Sequence, residues 1–193
     1  ILIGSNQQQT FNIFLGSGAN GKSILVDLIS KMLGEYKGTV PISLITQKRN
    51  GIGGTSSEVA ALIGVRYAVM QEPSKGDVVN ECVLKELTGG DPIQCRQLFR
   101  ESQTFIPQFK LVVCTNVLFD IKSQDDGTWR RLRLVDFESK FTDNPNTEEN
   151  PENNKKFPLD LYPHQFKINR RINEKFPEWA PVFMKELIKL AMK

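Results

Sequence analysis

Gly16-Ser17-Gly18-Ala19-Asn20-Gly21-Lys22-Ser23, hereafter the glycine-rich loop, matches the pattern G-x-x-x-x-G-K-[ST] at every fixed position. The apolar residues 10–15 before it are typical of a buried strand. The periodic apolar residues after it predict a helix over residues 22–33 that ends at Gly34. A strand, a glycine-rich turn and a helix in this order indicate an α/β fold with a parallel sheet.

The chemistry of the glycine-rich loop favours a bound nucleoside triphosphate. Glycines let the backbone bend so that successive N–H groups point at phosphate oxygens, and the positive end of the following helix adds to the attraction. The Lys22 ammonium is expected to reach the β- and γ-phosphates, and the Ser23 hydroxyl to ligate Mg²⁺. We therefore predict ATP and Mg²⁺ as cofactors, held by Gly16, Ser17, Gly18, Ala19, Asn20, Gly21, Lys22 and Ser23.

Two further side chains are expected at the edge of the sheet where the glycine-rich loop lies. Glu72 follows a predicted strand over residues 67–71, and Asn116 follows another over residues 110–115. Carboxyl ends of parallel strands meet at one edge, where ligands bind. Glu72 would hold Mg²⁺ and polarise water, and Asn116 would orient that water. A surface glutamate before Pro73 and a turn asparagine are the plainer alternatives.

An arginine pair, Arg130 and Arg131, precedes the last predicted strand, residues 132–137. An arginine supplied across a subunit interface stabilises the charge that develops during phosphoryl transfer. The alternative is an ordinary pair of surface arginines. We count both residues among the catalytic candidates, together with Lys22, Glu72 and Asn116.

Other stretches predict the remaining elements. Residues 41–46 are expected to be extended, Thr55 and Glu58 to form a capping box for a short helix, and Asn80 to cap a helix that Gly89 closes. Residues 93–99 and 103–106 are expected to form a β-hairpin.

Composition limits the class of protein. The chain has 193 residues, 39% of them apolar and 24% charged, enough for one sizeable domain. No apolar run is long enough to span a membrane. The net charge of +3 is compatible with nucleic acid. Three cysteines without metal-ligand spacing, and a single histidine, argue against zinc and favour a reducing, intracellular compartment.

The composition also divides the chain. We predict a motor core over residues 1–140, a flexible linker rich in Asn and Pro over 141–160, and a basic helical tail or lid over 161–193. The first residue of the chain is Ile1 rather than methionine, which predicts that the chain is a piece of a longer polypeptide.

Four blocks in order resemble the superfamily 3 helicases, in particular the helicase part of the primase–helicases of nucleocytoplasmic large DNA viruses and certain phages. The resemblance runs over residues 10–141. Its blocks are the glycine-rich loop, residues 66–73, residues 109–116, and the most specific one, Lys85-Glu86-Leu87-Thr88-Gly89-Gly90-Asp91-Pro92. Many members have two acidic residues at the end of the second block, whereas Gln71 precedes Glu72 here. Glu72 therefore either binds Mg²⁺ and also polarises the water, or Mg²⁺ is ligated by Ser23, phosphates and water alone.

The resemblance implies an AAA+-like P-loop NTPase with a parallel sheet, helices on both faces and a β-hairpin insertion. It implies a ring, usually a homohexamer, with ATP at subunit boundaries, and translocation on single-stranded DNA, typically 3′ to 5′. A primase domain would precede the motor in the parent chain, and the protein would act at a viral replication site in the host cell.

The resemblance also implies roles for single residues. Asn116 would be a sensor of the γ-phosphate, Arg131 the first and Arg130 the second candidate for the arginine finger, and Lys85 would approach nucleotide from the neighbouring subunit. The hairpin would track DNA through Phe99, Arg100 and Arg96.

Two other functions stay open at this point. An NTP-gated assembly or loading platform would bind ATP and form rings without unwinding DNA. A small-molecule kinase would need a lid rich in arginines after the loop, but residues 35–60 carry only Lys37, Lys48 and Arg49 as basic residues. Without an N-terminal collar, we expect this piece alone to be monomeric or weakly associating, with poor ATPase activity.

Overall fold

A computed structural model describes residues 1–48, 55–70, 73, 76–118, 120–122 and 125–192 of the chain. A five-stranded sheet forms its centre. Its strands are β1 (Phe11–Leu15), β2 (Lys37–Val40), β3 (Tyr67–Met70), β6 (Lys110–Thr115) and β7 (Leu132–Asp136). They lie in the order β2-β3-β6-β1-β7, and every pairing is parallel. The predicted parallel α/β sheet is confirmed.

Among the residues that the structure describes, four further strands lie outside the central sheet. The antiparallel hairpin predicted from the sequence is present, with Ile93 opposite Phe105 and Arg96 opposite Ser102. A second small sheet pairs two strands in parallel. These strands are β4 (Ile93–Arg96), β5 (Ser102–Phe105), β8 (Lys140–Thr142) and β9 (Gln165–Lys167).

Helices cover both faces of the central sheet, as the resemblance implied. In the described part of the chain, two short 3₁₀ segments, Gly34–Tyr36 and Ile172–Lys175, accompany them. The α-helices are α1 (Lys22–Leu33), α2 (Ser43–Thr46), α3 (Ser57–Ala60), α4 (Glu81–Thr88), α5 (Asp126–Trp129) and α6 (Phe176–Ala191). No helix in these described ranges is long and apolar enough to cross a membrane.

Alternating side chains explain the layers. In β6, Leu111 and Val113 belong to the core beneath α3 and α4, whereas Val112 packs with α1 on the opposite face. Both faces are apolar because parallel strands are covered on both sides. Phe183 and Met184 of α6 pack against the α1 cluster. α6 therefore packs with α1 on the same side of the sheet.

Two expectations for the region before β3 are wrong. Residues 43–46 form a helix rather than an extended segment, and the strand lies earlier, at β2. A short apolar run fits either structure, so periodicity alone could not decide. Glycine has a low strand propensity, so Gly38 weakens the strand signal of β2. Glycine is present there because a Cβ would lie 3.1 Å from the Val65 side chain. The N-cap of α3 is Ser56 rather than Thr55, and its hydroxyl accepts the Arg96 N–H at 3.0 Å.

The predicted cap of α4 is confirmed and gives a first testable expectation. The Asn80 side chain accepts the Val83 N–H at 3.3 Å. Asn80→Ala should lower the free energy of unfolding by about 1 kcal/mol, because this N–H loses its partner. Urea denaturation measures the change. Asn173, an exposed asparagine in a 3₁₀ segment, is the control and should shift stability by less than about 0.5 kcal/mol. Equal effects of the two substitutions would contradict the cap.

Candidate functional site

The glycine-rich loop lies at the carboxyl end of β1, directly before α1. Gly18 and Gly21 have φ angles of +86° and +88°, a backbone region that favours glycine, and Ala19 has +50°. A Cβ on Gly16 would lie 2.9 Å from the Phe137 carbonyl oxygen and closer still to the Asn20 amide. The glycines are therefore required by the path of the loop, which bends the backbone around a concave surface.

Lys22 is the centre of the polar contacts in the loop. Its residue is only 6% exposed, and its ammonium donates to the Gly16 carbonyl. It also donates to the side-chain oxygens of Asn20 at 3.3 Å and Asn116 at 3.2 Å. The structure thus brings together Lys22 and Asn116, two residues 94 positions apart that the sequence placed at one edge of the sheet.

Cavities of similar size flank the loop. One of about 700 Å³ is lined by the loop residues 18–23 and by Asp27, Lys37, Thr39 and Asn116. Another of about 710 Å³ lies on the β7 side, against Gly16, Ser17, Phe137, Lys140 and residues 161–164. Each volume is within the range of about 300–1,000 Å³ that is usual for small-molecule pockets. The loop has room for a nucleotide along both of its sides.

The metal-binding expectation rests on two residues. Ser23 is exposed at the start of α1 and lines the first of these cavities. Glu72 lies outside the described residues, so its position stays a prediction. No group of three or more His, Cys, Asp or Glu side chains close enough to hold a metal occurs in the described part of the chain. A hydroxyl beside the glycine-rich loop still suits Mg²⁺, which takes several of its oxygen ligands from phosphates and water.

Arg130 and Arg131 lie at the opposite edge of the sheet from the glycine-rich loop. The Arg131 carbonyl accepts the N–H of Phe11, the first residue of β1. The five residues of β1 therefore separate it from the loop, roughly 17 Å at the usual strand rise. An arginine at this edge can serve only a nucleotide bound elsewhere than in its own loop.

The two arginines differ in burial. Arg131 is 8% exposed, and its guanidinium donates to the Gln9 side chain at 2.9 Å and to the Gly127 carbonyl. Its Nε atom is buried without a hydrogen-bond partner among the described residues. Burial, followed by the charge of Arg130, lowers the pKa of Arg131. Arg130 is exposed and donates to the same Gln9 oxygen. Of the pair, Arg130 is the one presented to solvent.

Lys85 lies on α4, beside α5 and the arginine pair. Its ammonium forms an ion pair with Asp125, the residue that caps α5. The hydrogen bond from Lys85 is the largest cause that lowers the pKa of Asp125. The Asp125 side chain also accepts the Thr128 N–H at 3.1 Å. Lys85 is thus placed away from the glycine-rich loop of its own chain, in a group of charges with Asp125.

The hairpin projects an apolar and basic tip. Phe99 is 93% exposed and has a φ angle of +60°, so the backbone turns sharply at this residue. Arg100 and Arg96 are exposed beside it, and the Arg96 Nε donates to the Arg100 carbonyl at 3.1 Å. Phe99 does not pack in a core. Leu98, 60% exposed, extends this tip and was not expected from the sequence.

Lys140 is a site residue that sequence reasoning missed. Its ammonium donates to the Gly18 carbonyl of the loop at 2.9 Å. A single lysine before a polar segment gives no local signal. The available sequence signal was the presence of two aromatic residues, Phe157 and Tyr162, in or next to a stretch rich in Asn and Pro, since aromatic residues indicate packing. In the structure both rings lie next to the Lys140 ammonium.

Comparison with known proteins identifies related sequences. Residues 14–131 match the profile of a family of unknown function, DUF5906. The chain is 39% identical over 189 residues to a protein of Acanthamoeba polyphaga mimivirus named "Putative helicase", covering 97% of this chain and 19% of that protein. It is 37% identical to a Frog virus 3 protein of the same name, covering 72% of this chain and 15% of that one. A protein of African swine fever virus named "Putative primase" is 34% identical, with coverage of 69% and 14%. The chain therefore spans less than a fifth of the length of these relatives.

Solved structures with a similar fold include the apo structure of the C-terminal region of NrS-1. The TM-score is 0.54 at 14% identity, with 90% of this chain and 36% of that chain covered. A second apo form of the same region gives a TM-score of 0.51 at 18% identity, with coverage of 68% and 29%. At this identity the likeness concerns the fold. The resemblance to helicases and primases of large DNA viruses, first seen in the motifs, is confirmed by the sequence relatives.

Proposed function

Because this chain belongs to the DUF5906 family, and its relatives include viral proteins named as helicases and primases, we propose that it is the ATP-hydrolysing motor of a viral replicative DNA helicase. The observation that carries the proposal is the contact of Lys22 with Asn116 at the carboxyl edge of a parallel sheet. A phosphate-binding lysine and a polar sensor side chain at one edge are what a P-loop NTPase requires.

The glycine-rich loop would bind the phosphates of ATP. Its backbone N–H groups and the amino end of α1 would face phosphate oxygens, and Lys22 would exchange its present acceptors for the β- and γ-phosphates. Mg²⁺, when bound at Ser23, would neutralise charge on the phosphates. Asn116, released from Lys22, would then be placed to orient the attacking water. The base would lie in the cavity beside residues 161–164.

Subunit contacts would complete the site. Since the arginine pair lies roughly 17 Å along the sheet from the loop of the same chain, Arg131 or Arg130 would act on ATP bound by a neighbour. Lys85 would approach the same nucleotide after leaving Asp125. Such an arrangement needs a head-to-tail ring, because each interface then combines two different edges of the fold.

DNA would run through the centre of that ring. The hairpin tip offers an exposed aromatic ring, Phe99, to stack on a base or sugar, and Arg100 to meet a phosphate. Several copies of the tip around a ring would bring their arginines together in the central channel, although the net charge of one subunit is only +3. Cycles of ATP hydrolysis at the interfaces would then move the hairpins along single-stranded DNA, with 3′ to 5′ as the direction expected from the resemblance.

A subunit-mixing experiment tests the shared site. Lys22→Ala and Arg131→Ala proteins, each inactive alone, should regain activity when mixed in equal amounts and assembled into rings. Random assembly pairs an intact loop with an intact arginine at about a quarter of the interfaces, so about a quarter of wild-type ATP turnover is expected. The same mixture with Arg130→Ala identifies which arginine is the finger.

Thermal denaturation of each variant provides the control, because buried Arg131 also stabilises its own chain through Gln9 and Gly127. If neither mixture regains activity although both variants fold and form rings, the shared site is wrong.

A further inference from the structure

Lys140, the first residue of β8, lies against the glycine-rich loop with a buried side chain, 6% exposed. Its ammonium donates to the Gly18 carbonyl at 2.9 Å. The N–H of the next residue, Phe141, donates to the Ala19 carbonyl at 2.8 Å. Two successive carbonyls of the loop are therefore bound by two successive residues of β8.

Aromatic rings enclose the ammonium group of Lys140. Its Nζ atom lies 4.4 Å from the centroid of the Phe157 ring and 5.7 Å from that of Tyr162. The two rings meet edge to face, with centroids 5.3 Å apart. A cation over ring faces is attracted by their negative charge density. Burial, followed by the charge of Lys156, lowers the pKa of Lys140. The Gly18 carbonyl and the two rings offset part of the cost of removing the ammonium from water.

A buried polar network positions both rings. Asn146 is 3% exposed, and its amide donates to the Phe157 carbonyl at 2.7 Å. The Gln165 amide donates to the same carbonyl at 2.7 Å and to the Tyr162 carbonyl at 2.9 Å. The Asn146 N–H donates in turn to the Gln165 side chain at 3.0 Å. The stretch after β8 thus holds Phe157 and Tyr162 in place around Lys140.

The carbonyl contacts determine where the loop N–H groups point. In a trans peptide the C=O of one residue and the N–H of the next point in opposite directions. With the Gly18 and Ala19 carbonyls turned to β8, the N–H groups of Ala19 and Asn20 point away from it. Neither N–H has an acceptor among the described residues. Both residues line the cavity of about 700 Å³ on the other side of the loop.

We propose that Lys140 is a positioning residue of the glycine-rich loop: held between Phe157 and Tyr162, it fixes the Gly18 carbonyl and thereby aims the loop N–H groups at the bound phosphates. The identity of the bound group rests on the proposed function, whereas the restraint on the loop does not. Residues 141–160, expected from composition to be a flexible linker, would then support the nucleotide site through Lys140.

Hydrogen–deuterium exchange of the 193-residue chain without nucleotide tests the restraint directly. Lys140→Met keeps the length of the side chain but removes its charge. The hydrogen-bonded amides of Gly16, Gly18 and Phe141 should then exchange about tenfold faster, while α6 is unchanged. Lys140→Arg retains a cation and should restore most of the protection. Lys155→Met, which removes an exposed lysine nearby, is the control and should leave the loop unchanged.

Titration with a fluorescent ATP analogue gives the second readout, with an expected decrease in affinity of about tenfold for Lys140→Met and little for Lys155→Met. If Lys140→Met does not fold, Phe157→Leu keeps Lys140 but removes one of the two rings beside its ammonium, and should accelerate loop exchange to a smaller degree. Weaker nucleotide binding with unchanged loop exchange would mean that Lys140 contacts phosphate directly, and would overturn the proposal. A wild-type chain that binds no nucleotide would contradict the proposed function, yet the exchange rates would still decide the role of Lys140.

Discussion

Lys22→Ala is expected to reduce ATP turnover of the ring-assembled protein by about 10²–10³-fold, as is usual when a donor to developing negative charge is removed. The Lys22 ammonium connects the loop, Asn20 and Asn116 through its hydrogen bonds. On ATP binding it would exchange these acceptors for phosphate oxygens. Alanine removes that cation and leaves the two amide oxygens without this donor. Steady-state phosphate release measures the effect.

Lys31→Ala is the matched control for this substitution. Lys31 lies on the same helix, in its last turn, and is exposed. Its replacement should change turnover by no more than about twofold, because surface substitutions away from special features have small effects. Circular dichroism should show both variants folded. Turnover by Lys22→Ala within a few-fold of the wild type would exclude the glycine-rich loop as the catalytic site.

Phe99→Ala is expected to weaken binding of single-stranded DNA about tenfold or more, because stacking of one base on an aromatic ring contributes about 1–3 kcal/mol. Arg100→Ala should also weaken binding. The slope of log K against log salt should become shallower by about 0.7 for each phosphate that the variant no longer binds. Fluorescence anisotropy of a labelled oligonucleotide, measured at several salt concentrations, gives both quantities.

The same substitutions should leave the fold intact. Phe99 is 93% exposed, so its truncation should change the free energy of unfolding by less than about 0.5 kcal/mol. Arg171→Ala, which removes an exposed arginine before a 3₁₀ segment, controls for net charge and should leave the salt slope unchanged. If Arg171→Ala weakens DNA binding as much as Arg100→Ala, binding follows overall charge and the hairpin is not the DNA contact.

Much of the central sheet was predictable because its signals are local. The bounds predicted for α1 and β6 agree with the structure, since long apolar periods and a glycine stop determine them. The edge strand β2 was not predictable, because Gly38 has a low strand propensity and is present to allow the close approach of Val65. The meeting of Lys22 with Asn116 was predictable from one rule about parallel strands.

The support of the loop from β8 could not be predicted. It depends on contacts between Gly18 and Lys140, which are 122 positions apart, and on β8 pairing with β9. The composition of residues 141–160 indicated a linker, yet Asn146 is buried there and holds the Phe157 carbonyl. An asparagine in a turn and an asparagine in a buried network have the same sequence signal, and only the folded chain distinguishes them.

The most direct test of the central claim is ATP hydrolysis by the wild-type protein, assembled as a ring confirmed by sedimentation, with and without single-stranded DNA. A motor whose hairpins bind DNA should hydrolyse ATP several-fold faster when the strand is present, because hydrolysis at the interfaces would be coupled to movement of the hairpins along the strand. If turnover in a confirmed ring is the same with and without DNA, the helicase motor is contradicted, and an NTP-gated platform becomes the better account.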